Sequence, residues 1–296
     1  EFWSRFWDFA NIKGTKNKQK IRKSKIFYKN LFLPGSKLNF GENLLSKNNQ
    51  EKAITFISEN GYREERSWRQ LNLNTSKILK FLKKLNIKKG DRVAAYMPNT
   101  IETVEAFIAT TSLGGIWSSC SPDFGSKGVI ERFSQINPKV LFITDQYFYN
   151  GKKINVLKRL PDILKSIPSI KSVVISSYPG KRFIKNKNRF KKINLFKWNK
   201  LMQTNSEKID FKRFDFETEL AILYSSGTTG KPKCICHRSG GVLIQHMKEH
   251  QLHCNIKEND NVFYFTTCGW MMWNWLVSSL ASRASIVLFD GSPMFK

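Results

Sequence analysis

The chain has 296 residues, 41% of them hydrophobic and 13% aromatic, a globular composition long enough to bury a large core over about two domains. Its formal net charge of +27 would ordinarily point to a polyanionic partner. However, Lys, Asn, Ile and Phe recur throughout the chain, as an A/T-biased coding sequence would give, and no RNP, zinc-finger or helix-turn-helix signature accompanies them, so a nucleic-acid partner is not expected.

In chain order, Phe2-Trp-Ser-Arg-Phe-Trp-Asp-Phe9 places aromatic residues at helical spacing and reads as a docked amphipathic helix, not a secretory leader. A basic, non-periodic stretch over 13–29 and the motif Leu33-Pro-Gly-Ser-Lys-Leu-Asn-Phe-Gly-Glu-Asn-Leu-Leu45 complete an N-terminal cap, from which no chemistry is read. Trp68, Leu71, Thr75, Ile78, Leu79, Leu82 and Leu85 mark an amphipathic helix expected to end at Gly90-Asp91, before a strand over 92–96. Pro98-Asn-Thr-Ile-Glu102 predicts a helix start with Asn99 as N-cap and Glu102 completing a capping box, and Gly114-Gly115 stops that helix. Strands follow at 116–120, 140–144, 172–176, 220–224, 262–267 and 285–289, separated by helical patterns at 127–136, 154–167, 240–253 and 270–283. This alternation predicts an α/β fold with a mostly parallel, helix-covered sheet, one unit of two subdomains plus the cap. The most apolar late stretch, 271–288, is interrupted by Asn274, Ser278, Ser279, Ser282 and Arg283 and is too broken for a membrane span.

The chemistry concentrates in Leu220-Ala-Ile-Leu-Tyr-Ser-Ser-Gly-Thr-Thr-Gly-Lys-Pro-Lys233, an apolar strand that runs into a loop of glycines and hydroxyls and then into two lysines. A loop at a strand's carboxyl end lies where open α/β sheets bind ligands. Gly227 and Gly230 permit positive φ, so several N–H groups can converge on one anion, while Ser225, Ser226, Thr228 and Thr229 add hydroxyl donors and Lys231 or Lys233 the positive charge. A Walker A loop does not fit, because only two residues separate the glycines and Pro232 steers Lys231 away from a helix. The plain alternative is a hairpin turn with no ligand.

Tyr224-Ser-Ser-Gly-Thr-Thr-Gly-Lys-Pro-Lys233 resembles the phosphate-loop signature of the acyl-adenylate-forming enzymes. His237-Arg-Ser-Gly-Gly241, His246-Met-Lys-Glu-His-Gln-Leu-His-Cys254 and Thr266-Thr-Cys-Gly-Trp-Met-Met-Trp-Asn274 are similar to the acetoacetyl-CoA synthetases among them, and the Leu33 to Leu45 motif to the cap of the acetyl- and acetoacetyl-CoA synthetases. The resemblance covers nearly the whole chain. It implies a cap over 1–52 and an AMP-binding large domain over 53–296, truncated at its C-terminal side. It also implies activation of a small carboxylate, acetoacetate, by ATP with Mg²⁺, followed by transfer to CoA. By resemblance and spacing, Ser225, Ser226, Gly227, Thr228, Thr229, Gly230 and Lys231 would hold the departing phosphates, with Thr228, Thr229 and Lys231 as the catalytic group. Gly269 and Trp270 would form the acyl pocket wall, and Pro122, Asp123 and Lys152 would contact CoA; surface loops and ordinary core aromatics are the plain alternatives. Cys234 and Cys236 stand where the family usually has small aliphatic residues, and Cys268 where a Thr is common.

Glu1 in place of Met, and an end just after a strand-like run, predict a piece of a longer protein. Lacking the residues the resemblance expects downstream for Mg²⁺, the ribose and the mobile domain, such a piece is expected to be inactive. The five cysteines are odd in number, so free thiols in a reducing, cytoplasmic setting are expected, with partners beyond the small molecules left open. His237, His246, His250 and His253 crowd together with three of the cysteines, and His246, His250 and Cys254 share a spacing able to bind zinc. The resemblance implies no zinc there, so no metal site is assigned. The basic tract from Lys181 to Lys192 reads as a solvated loop, with an RNA-binding strip as the alternative.

Overall fold

The computed structural model describes residues 1–19, 21–26, 29–183, 192–206, 208–225 and 230–295. Most of the basic tract, at 184–191, and four positions of the glycine-rich loop, 226–229, lie outside them.

In chain order the principal elements are α1 (Phe2–Phe9), α2 (Phe40–Leu44), β1 (Lys52–Ser58), β2 (Arg63–Ser67), α3 (Trp68–Lys84), β3 (Arg92–Tyr96), α4 (Ile101–Ser112) and β4 (Ile116–Cys120). There follow α5 (Ser126–Ile136), β5 (Val140–Thr144), β6 (Gln146–Tyr149), β7 (Lys152–Asn155), α6 (Leu160–Ser166), β8 (Ser172–Ser176), β9 (Asn194–Lys197) and α7 (Trp198–Met202). The chain continues through β10 (Glu219–Ser225), β11 (Lys233–Arg238), α8 (Ser239–Lys248), β12 (Asn261–Phe263), α9 (Met271–Ser278) and β13 (Ser285–Asp290).

The main sheet has seven strands in the order β9-β8-β5-β3-β4-β10-β11, parallel except for β11, which runs antiparallel at one edge. Every residue of β4, β5 and β8 is buried, the pattern of strands covered on both faces. One core lies between this sheet and the helices and smaller sheet on one side, and a second on the face covered by α5 and α6. The smaller sheet is ordered β12-β13-β1-β2, with β2 antiparallel to β1. Its β1–β2 hairpin was not anticipated from the sequence.

The cap is held by capping chemistry. Asn39 Oδ1 accepts from the Glu42 amide to start α2, and Asn39 Nδ2 donates to the carbonyls of Ser112 (2.9 Å) and Lys212 (2.8 Å). Gly41 permits this approach, since a Cβ there would lie 2.0 Å from Ser112 Oγ. Trp7 of α1 packs on Phe216, with ring centroids 6.3 Å apart.

Several expected boundaries move. Helix α3 opens on a capping box made by Ser67 and Gln70 and stops at Lys84, short of Gly90-Asp91, because Asn86 takes a left-handed φ of 57°. Thr100, not Asn99, is the N-cap of α4, and neither it nor Glu102 completes a capping box, because the Asn99 side chain is bonded elsewhere. The pattern at 154–167 divides into the end of β7, a 3₁₀ turn and α6, whose first turn holds Pro161. β12 ends at Phe263, and the helix expected over 270–283 ends at Ser278 before a 3₁₀ turn.

Candidate active site

The carboxyl ends of the neighbouring strands β4 and β10 carry Pro122-Asp123 and Ser225, and Gly269 lies against the first of them. β10 ends at Ser225, which lies directly across from Lys233 of β11, so 226–232 join two antiparallel strands and no helix follows the loop. Ser226, Gly227, Thr228 and Thr229 lie outside the described residues. Ser225 is half-buried, Gly230 has φ +147° with open space where a Cβ would stand, and Lys231 and Lys233 are exposed. The far side of the loop is anchored to α5, where Gln135 Nε2 donates to the Pro232 carbonyl (2.9 Å).

Next to β10, the end of β4 runs into Ser121-Pro-Asp-Phe124. The Arg159 guanidinium donates to the carbonyls of Pro122 (2.8 Å) and Phe124 (3.0 Å) and also meets the Tyr96 hydroxyl. Burial pushes the Tyr96 phenol up to about 12 against the opposing pull of Arg159, so it stays protonated and donates to the Phe124 carbonyl. Pro122 itself is buried, whereas Asp123 is exposed and its carboxylate accepts from Ser121 Oγ (2.6 Å) and from the Tyr147 hydroxyl. Tyr147 belongs to the β6–β7 hairpin, at whose tip Lys152 is exposed opposite Tyr149. Arg132 of α5 lies over the Phe124 ring (4.3 Å) and the Tyr224 ring (5.7 Å), and Tyr224 accepts from Ser118 Oγ (3.0 Å). These contacts join the end of β10 to the segment that carries Asp123.

Gly269 lies over the end of β4, where a Cβ would meet Phe124, the Ser119 carbonyl and the Ser121 amide at 3.7 Å, ordinary contact distance. Trp270 is the N-cap of α9 and 58% exposed, so its indole is not a core aromatic. Trp273 is fully buried and Trp275 packs edge-on against His250, so these two take the core reading. The strand expected over 262–267 stops early because 266–268 are tied to the main sheet. Ser119 Oγ donates to the Cys268 carbonyl (2.6 Å), the Cys268 thiol to the Met97 carbonyl (2.9 Å), and Asn99 Nδ2 to the Thr266 carbonyl (3.2 Å).

Two of the four clustered histidines, His246 and His250, are packed in the interior, whereas His253 is exposed. His246 Nδ1 pairs with Ser278 Oγ (2.9 Å) and His250 Nε2 with the Trp275 carbonyl (3.1 Å), while Cys254 is exposed. Burial lowers the pKa of His246 to about 3 and that of His250 to about 4, so both are neutral at pH 7. Among the described residues no group of three His, Cys, Asp or Glu side chains is placed to hold a metal ion, and no helix is long and apolar enough to cross a membrane. Sequence reasoning missed Arg159, Tyr96, Asp290 and the role of Asn99. Arg159 sits in an unremarkable Lys-Arg pair, and a lone asparagine before a helix carries only a local signal.

The sequence over 45–296 matches the AMP-binding enzyme family. The chain is 40% identical over 301 residues to an acetoacetyl-CoA synthetase of Gallus gallus, covering 99% of this chain and 45% of that protein. It is 41% identical over 292 residues to the acetoacetyl-coenzyme A synthetase of Rhizobium meliloti (strain 1021), covering 99% of this chain and 44% of that protein. Among solved structures, acetoacetyl-CoA synthetase from Streptomyces lividans superimposes with a TM-score of 0.90 at 32% identity, over 99% of this chain and 45% of that one. The chain thus spans a little under half the length of the relatives it matches, and its helix-covered, mostly parallel sheet is the acyl-adenylate-forming fold. With more than four-fifths of its length inside the matched region, the chain belongs to the AMP-binding enzyme family.

Proposed function

We propose that this chain is the amino-terminal part of an acetoacetate:CoA ligase that forms acetoacetyl-CoA, AMP and pyrophosphate from acetoacetate, ATP and CoA. The observation that carries the reading is its likeness, over 99% of its length, to acetoacetyl-CoA synthetases from a vertebrate and a bacterium. In this reading 1–52 form the cap and 53–296 the adenylate-forming domain, acting in the cytoplasm.

A carboxylate oxygen of acetoacetate attacks the α-phosphorus of ATP and pyrophosphate leaves; the CoA thiol then attacks the acyl carbon and AMP leaves. Charge develops on the departing phosphates, so preorganised donors aimed at them lower the barrier. The 225–231 loop is proposed to supply those donors, with Lys231 on its exposed arm as the cation. Mg²⁺ would neutralise the same phosphates. Gly269 and Trp270 are proposed as the acyl wall, where an exposed indole at the mouth of the β4 edge would shorten the pocket and favour a small acid. For CoA the proposal rests on Asp123 and Lys152, carried on segments joined through Tyr147, with Pro122 contributing backbone shape.

The test is product analysis on the complete reading frame. Acetoacetate-dependent conversion of ATP to AMP and pyrophosphate, with acetoacetyl-CoA formed on adding CoA, is the expected outcome. Release of ADP and phosphate would overturn the adenylate mechanism, and a preference for another short acid would overturn the substrate.

A further inference from the structure

Asn99 is 1% exposed and uses its whole side-chain amide. Its Nδ2 donates to the carbonyls of Thr266 and Phe289, both at 3.2 Å, and its Oδ1 accepts from Trp273 Nε1 at 2.9 Å. Its backbone N–H donates to the buried Asp290 carboxylate (3.0 Å), whose other oxygen accepts from the Tyr178 hydroxyl (3.0 Å). Thr266 lies just before the Gly269-Trp270 turn and Trp273 just after it, so one amide at the carboxyl end of β3 grips both shoulders of that turn. Asn99 thereby crosses from the main sheet to the smaller one, whose β13 ends at Asp290.

Two donors and one acceptor at a single buried point is a demand only a carboxamide meets. Aspartate at this position would set a carboxylate against two carbonyls and beside Asp290, and alanine would leave the Trp273 indole N–H and both carbonyls without their partner. The middle of the turn is held independently through Cys268, by Ser119 and Met97. Loss of Asn99 therefore loosens the flanks of the turn while its centre stays tethered, and Trp270, exposed at the tip, is the side chain displaced.

We propose that Asn99 is a positioning residue for the acyl pocket: by gripping Thr266 and Trp273 it sets where Gly269 and Trp270 stand, and so sets selectivity among carboxylate substrates. The inference rests on the ligase reading above. It is tested in the complete enzyme by carboxylate-dependent exchange of labelled pyrophosphate into ATP, comparing acetoacetate with hexanoate. Asn99→Ala is expected to raise KM for acetoacetate about 10-fold to 100-fold, to leave KM for ATP within about 2-fold, and to narrow the preference over hexanoate by about 10-fold, the scale of lost substrate positioning. Trp273→Phe keeps the ring and removes the indole donor; it is expected to shift selectivity the same way by less, and to add nothing to Asn99→Ala in the double variant. Should Asn99→Ala fail to fold, Trp273→Phe alone decides the matter. Acid and ATP parameters moving together, or an unchanged selectivity ratio in a wild-type-active background, would overturn the positioning role alone. A wild-type enzyme that exchanges pyrophosphate with no carboxylate would overturn the ligase reading, and this inference with it.

Discussion

Acid should destabilise this fold through His246 and His250, and the size of the effect follows from their burial. Both rings are held neutral, His246 at 5% and His250 at 0% exposure. In the folded chain their pKa values fall from the ordinary 6.5 to about 3 and about 4, through burial first and, for His246, the neighbouring His250 as well. A histidine whose folded pKa is depressed binds its proton in the unfolded chain first. The stability it supports is therefore complete above pH 6.5 and drains as pH falls from 6.5 towards the folded values. Between pH 8 and pH 5 each ring should cost about 2 kcal/mol, and the pair about 4 kcal/mol, a large fraction of a marginal domain stability. Two buried carboxylates act oppositely. Burial raises Glu105 to about 8 and Asp290 to about 7, so each holds a proton in the folded state above its unfolded pKa and its contribution drains as pH rises. The wild-type curve mixes the two trends, and a difference curve separates them. In His246→Asn/His250→Gln an amide nitrogen or oxygen stands near each bonded ring nitrogen, retaining contact with Ser278 and the Trp275 carbonyl without a titrating proton. Urea unfolding from pH 8 to pH 5 should give a wild-type minus variant difference that falls by about 1 kcal/mol per pH unit for each ring once pH is below 6.5. Superimposable pH dependence in the two proteins would refute the argument, as would a difference of the opposite sign.

Two further outcomes are expected. Lys231→Ala in the complete enzyme should slow adenylate formation by about one to three orders of magnitude while sparing thioester formation from a supplied acyl-adenylate, since pyrophosphate has left by that step. Half-reactions assayed separately would show it, and equal loss in both would make the loop structural. Gly41→Ala should destabilise the chain by about 1–3 kcal/mol, because the added methyl lies 2.0 Å from Ser112 Oγ and 3.2 Å from the Ile108 carbonyl. Denaturant midpoints should show Ser112→Gly restoring part of the loss, and no recovery would refute the proposed clash.

Strands buried on both faces were legible from the sequence because their signal is local: the apolar runs at 92–96, 116–120, 140–144 and 172–176 have one stable use, the centre of a helix-covered parallel sheet. The strand that leads into the glycine-rich loop was legible for a similar reason, since 220–224 form an apolar run that fits the sheet interior. Tertiary structure alone decided what depends on distant partners. Asn99 has the local marks of a helix cap, yet its bonds reach residues 167 to 191 positions away, and the N-cap position passes to Thr100, whose side chain makes no capping bond. The short β12 has the same cause, because 266–268 give their hydrogen bonds to the ends of β3 and β4. Arg159 becomes a clamp on Pro122 and Phe124 only because α6 packs on α5 beside the β4 edge. A residue's chemistry is written in the chain, but which of its possible hydrogen bonds forms is settled by whatever group the fold brings within about 3 Å once water is excluded.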